Sequence, residues 1–253
     1  MQALPVRDRA VILSALTSIT ALSWAYMWYL ARDRMAMCMA NMNPWGAADL
    51  LAMFLMWAVM MVAMMIPSAS PMILAFAGVK QMRREQALRY SSVSALVLGY
   101  VAVWTAFSAA ATLAQAALHS AALLSPMMIS TSQYFGGFVL LLAGIFQWTP
   151  VKNACLRRCR SPLGFILTEW REGSIGAFHM GLRQGIYCVG CCWLLMVLLF
   201  VAGVMNLWWI AAIAAFVLIE KLTPAGSMIS RAAGFILIAW GLWMILAPAN
   251  RPA

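Results

Sequence analysis

Long apolar runs decide what this chain can become: about 11–30, 48–66 (with an apolar extension to 79), 92–117, 129–148, 186–205, 207–222 and 232–247. A helix crosses the hydrocarbon core with about 20 apolar residues, whereas a membrane barrel needs strands of about ten in strict alternation. Uninterrupted runs select helices. The expected fold is all-α, a polytopic helical membrane protein of about seven transmembrane helices. Six is the alternative count, because the run 207–222 is short and closes on Glu220-Lys221. With 65% hydrophobic and 9% charged residues, the chain lacks the polar surface that a soluble domain needs.

The first run invites confusion with a cleaved leader. Its length, and the absence of a small-residue cleavage site before Arg32-Asp33-Arg34, favour a retained first span. Cytoplasmic loops collect Lys and Arg, and placing the N-terminus inside puts 14 of the 17 basic residues there. Only Arg32, Arg34 and Arg251 then lie outside. The net charge of +10 therefore reads as topology, and no nucleic-acid partner is expected. The chain is expected to form one helical membrane domain over residues 1–253, with a cytoplasmic loop at about 149–185.

Sulfur is the unusual element. Ten of the 21 Met fall in residues 35–65. The first outside loop carries Met35, Met37, Cys38, Met39 and Met42, an odd choice for a wet loop if packing were their only role. Thioethers and thiolates are soft ligands that favour Cu(I), and a thioether binds without losing a proton. In the second run Asp49, Met53, Met56, Met60 and Met64 are spaced to share one helical face, with Met61 and Met65 beside it. Met53 to Met64 would span about 16 Å of helix. The blander reading of such a stripe is flexible core packing. Pro67 and Pro71 follow, predicting a kink, an unwound segment or a plain helix end near the cytoplasmic surface.

Five of the six Cys fall on the cytoplasmic side. Cys155 and Cys159 flank a basic stretch, and Cys188, Cys191 and Cys192 open the fifth run, with Cys188, Cys192 and Met196 on one helical face. A reducing compartment favours thiols or metal thiolates over disulfides. The spacing falls short of a zinc finger and does not fix the metal; copper is expected, with zinc as the alternative. His119 and His179 read as solvated loop residues, and Glu220 and Lys221 as facing water or pairing locally. Gly226, Ser230 and Gly234 form a small-residue face suited to close helix packing. No phosphate loop, nucleotide fingerprint, hydrolase triad or carboxylate pair is present, so an ATP-driven pump is not expected, and a non-enzyme is favoured while the enzyme question stays open.

Three elements carry a resemblance. They are Met60-Met61-Val62-Ala63-Met64-Met65-Ile66-Pro67-Ser68 with Pro71-Met72, then Gln147-Trp148-Thr149-Pro150-Val151-Lys152 with Cys155 and Cys159, and lastly Gly181-Leu182-Arg183-Gln184-Gly185 through Cys188 to Cys192-Trp193 with Glu220-Lys221. In these the chain resembles a family of bacterial integral membrane proteins of unknown function described as metal-binding. Members often carry a His where this chain has Gln184, so a Cys-plus-His site would need His179 or a thiol instead. The resemblance implies metal binding in a multi-pass protein of the bacterial inner membrane.

The function expected is soft-metal handling, most concretely Cu(I) uptake, delivery or metalloprotein assembly. The outside Met and Cys would capture the ion, the Met face would hold or conduct it, and the inside thiols would receive it. The expected partners are the bilayer, a metal chaperone or metalloprotein client, and a second copy of the chain. Two other classes compete: a membrane thiol-redox protein exchanging Cys188/Cys191 with Cys155/Cys159, and a non-catalytic subunit or assembly factor whose sulfur merely packs.

Overall fold

The structure, a computed structural model, describes residues 5–37, 46–82, 89–120 and 132–247. Among these residues all regular structure is helical. The helices are α1 (Val6–Met37), α2 (Ala47–Met82), α3 (Arg89–Ser120), α4 (Gln133–Phe146), α5 (Pro150–Arg160), α6 (Pro162–Glu169), α7 (Gly173–Val197), α8 (Leu199–Ala202), α9 (Leu207–Leu222) and α10 (Gly226–Leu246). Five of them, in α1, α2, α3, α7 and α10, are long and apolar enough to cross a membrane. Taking α4 and α5 as one span bent by 64° gives six. The run 207–222 becomes α9, whose 16 residues reach about 24 Å, short of a crossing of about 30 Å. Among the described residues the count is thus five or six, roughly the six or seven expected.

Local chemistry sets the boundaries. Thr149 caps α5, its hydroxyl accepting from the Lys152 N–H at 3.3 Å, with Pro150 at the first turn. Pro suits that position because its missing N–H would have had no partner there. Ser132 caps α4 and Asn206 caps α9 in the same way. Gly203, at φ 95°, ends α8 and turns the chain toward α9. The region expected as a loop at 149–185 carries α5, α6 and the opening half of α7.

At Pro67 and Pro71 the helix neither unwinds nor ends. α2 runs unbroken from Ala47 to Met82. Pro71 has no N–H for the Pro67 carbonyl, and the Ser70 hydroxyl donates to that oxygen instead at 2.8 Å. Ser68 and Tyr100 both donate to the neighbouring Met65 carbonyl, at 2.9 and 3.3 Å. Side chains thus supply donors at the turn the prolines weaken.

Two glycine contacts set the layout. α3 lies against α7 so closely that a Cβ at Gly181 would sit 2.0 Å from the Leu96 carbonyl oxygen. α4 meets α10 likewise, with Gly144 and Gly234 each facing the other's carbonyl, as the small-residue face predicted. α2 packs against α1, α3, α6 and α9.

Candidate metal centre

A stripe of residues four apart runs along α7: Met180, Gln184, Cys188, Cys192 and Met196, all buried, with Cys191 buried alongside. The Cys191 and Cys192 thiols donate to the Cys188 carbonyl at 3.0 Å each. This back-bonding is the usual local option for a short polar side chain on a helix. Gln184 lies one turn before Cys188, and its Oε1 is buried without a hydrogen-bond partner. His179 does not join this stripe, because it lies exposed on α7.

The second cysteine group reaches the first. α5 packs on α7, which brings the Cys159 side chain within interaction range of Cys191. Cys155 rests on Gly190, where an added Cβ would stand 2.9 Å from its sulfur. Cys155 and Cys159 are partly exposed while the three α7 thiols are buried. Sulfur therefore grades from an inner buried group to an outer, half-buried pair.

Glu220 and Lys221 overturn their expectation. Neither faces water: Glu220 is 0% and Lys221 8% exposed. The Glu220 carboxylate pairs with Lys152 at 2.6 Å and accepts from Ser230. Lys152 in turn donates to Gln147. Lys221 points elsewhere, its Nζ 2.8 Å from the Cys188 sulfur and 3.1 Å from the Ser68 hydroxyl. Tyr100 completes this pocket, its hydroxyl 3.0 Å from the same sulfur. The partners lie far off in sequence, so local reading could not find them. The available signal was two ionisable residues within an apolar run, which in a membrane points to function by default.

The Met face is buried throughout, with Met53, Met56, Met60, Met61, Met64 and Met65 all in the core. Met53 holds a polar partner: Gln115 donates to its sulfur at 3.5 Å and accepts from Trp57 at 2.6 Å. Asp49 is not part of this face's interior, since it is exposed and accepts from the Gly46 N–H at 2.9 Å, capping α2. Cys38, Met39 and Met42 lie outside the described residues, as do the side chains of Met35 and Met37 at the end of α1.

Among the described residues, no three His, Cys, Asp or Glu side chains close on a common point. The Cys191 and Cys192 thiols are instead turned onto the Cys188 carbonyl. What the site offers is paired sulfur. Two thiolates, or a thiolate and a thioether, suit a soft ion of low coordination number and suit hard cations poorly.

A helical bundle of membrane-crossing proportions, with a buried sulfur centre, is the class these features define. Residues 54–244 match the PpoB2 family, described as copper chaperone, and the chain belongs to that family. No curated protein and no solved structure matches it.

Proposed function

We propose that this protein is a membrane copper chaperone that moves Cu(I) inward and hands it to a metalloprotein client or a soluble carrier. The observation that carries this reading is the meeting of Cys159 on α5 with Cys191 on α7. It joins a buried thiol group to an outer, half-buried one. Membership of a copper chaperone family supports copper as the cargo. In this reading Met35, Met37, Cys38, Met39 and Met42 collect the ion outside. Met53, Met56, Met60 and Met64 pass it along α2 through weak thioether contacts. Cys188, Cys191 and Cys192 receive it, and Cys159 with Cys155 releases it. The whole chain acts as one membrane domain with its N-terminus in the cytoplasm, an orientation supported by the basic residues between α2 and α3 and over residues 149–185.

The test is a titration of the purified full chain in detergent, under reducing conditions, against a chromogenic Cu(I) chelator. Cys159→Ser and Cys191→Ser are each expected to lower Cu(I) affinity on the order of tenfold to a hundredfold. A wild-type protein that takes no Cu(I) from the chelator overturns the proposal, as does full affinity in the double variant. The same titration with Zn(II) separates the two candidate cargoes.

A further inference from the structure

Lys221 is buried beside three thiols, and among the described residues no carboxylate pairs with it. Its ionisable neighbours include Cys188, Cys191, Tyr100, Cys192 and Cys159. The nearest acid in sequence, Glu220, is committed to Lys152 and Ser230. A buried ammonium with no anionic partner is unfavourable. An ammonium held 2.8 Å from the Cys188 sulfur therefore favours negative charge on the sulfurs beside it.

We infer that Lys221 sets the charge of the ion this site accepts, selecting a soft monovalent cation over a divalent one. The inference rests on the proposed metal site and adds to it the basis of its selectivity. Binding between two of the buried thiols, Cys188 and either Cys191 or Cys192, releases both thiol protons. A monovalent ion then forms two metal–sulfur bonds in a complex of net charge −1. The ammonium 2.8 Å from the Cys188 sulfur brings the total to zero. A divalent ion on the same two thiolates is already neutral, and Lys221 leaves it with an excess positive charge in an apolar surround. Softness alone does not separate the two cases, because thiolates bind soft ions of both charges. Charge separates them, and a low-dielectric interior magnifies the difference. Ser68, 3.1 Å from the same Nζ, holds the ammonium against Cys188 from the α2 side.

Ag(I) and Cd(II) make the probes, since both are soft and redox-inert and they differ in charge. Affinities for each are measured on the full chain in detergent for wild type, Lys221→Met, Lys221→Gln and Lys221→Arg. Both neutral variants are expected to lower the Ag(I)-to-Cd(II) affinity ratio on the order of tenfold or more, as a lost unit charge in a dry site should. Lys221→Arg, which keeps the charge, is expected to keep most of the preference. Lys221→Gln retains a hydrogen-bond donor for Cys188 and Ser68, so it separates charge from hydrogen bonding should Lys221→Met fold poorly. An unchanged ratio in the neutral variants, or an equal loss for both ions, overturns the inference and leaves the copper reading intact. A wild type that binds neither ion overturns both.

Discussion

Glu220 and Lys221 are neighbours in the chain, yet they occupy two unlike surroundings. Around Glu220 the charges close: Lys152 answers the carboxylate, Gln147 answers Lys152, and Ser230 adds a donor. Around Lys221 they remain open, with thiols, a phenol and a hydroxyl but no carboxylate among the described partners. The first arrangement ties α5, α9 and α10 together. The second leaves a positive charge facing sulfur. Both positions are buried and ionisable, so burial alone does not distinguish a fastening from a binding site. What distinguishes them is whether the charge is already matched.

The largest test of that contrast is to break the closed side. Glu220→Ala strands the Lys152 ammonium in the core and is expected to destabilise the protein by about 3–5 kcal/mol, the usual loss when half of a buried pair is removed. Thermal unfolding in detergent measures it, and loss of stability should exceed that of any single cysteine variant. On the open side the sign should reverse. Lys221→Met removes an unmatched charge, so the metal-free protein is expected to be as stable as wild type or more so, by up to about 2 kcal/mol. A Lys221→Met protein as unstable as Glu220→Ala would erase the contrast. The smallest effect belongs to Tyr100→Phe. It loses the hydroxyl's hydrogen bonds to the Met65 carbonyl and the Cys188 sulfur, and should lower stability by about 1 kcal/mol while weakening metal retention slightly.

The apolar runs were legible because membrane burial makes its demand on consecutive residues. The Met face was legible for a related reason: one helix carries it, and its spacing alone predicts one side. Those Met are indeed buried, though burial by itself fits packing as well as transport. The two cysteine groups could be read only separately. Their contact depends on α5 folding back onto α7, and no local pattern encodes that. Glu220 and Lys221 were misread because a charged pair near Pro224 looks like a helix end in water. Lys152 and Cys188, which make them interior, are brought there by tertiary packing. The short length of α9 was legible too, since the run 207–222 has the bounds of the helix that Asn206 caps.

The unbroken course of α2 has a mechanical consequence. A helix resists bending through its ladder of backbone hydrogen bonds, and Pro67 and Pro71 each remove a strut. The repair by Ser70 and the donors at Met65 are side-chain hydrogen bonds, which rotate where backbone ones cannot. Stiffness is thus lowest at Met65–Pro71, the level where Tyr100 and Lys221 connect α2 to Cys188. The turn with the fewest backbone struts is therefore the one that side chains tie to the first buried thiol, so a bend of α2 there would bear directly on Cys188.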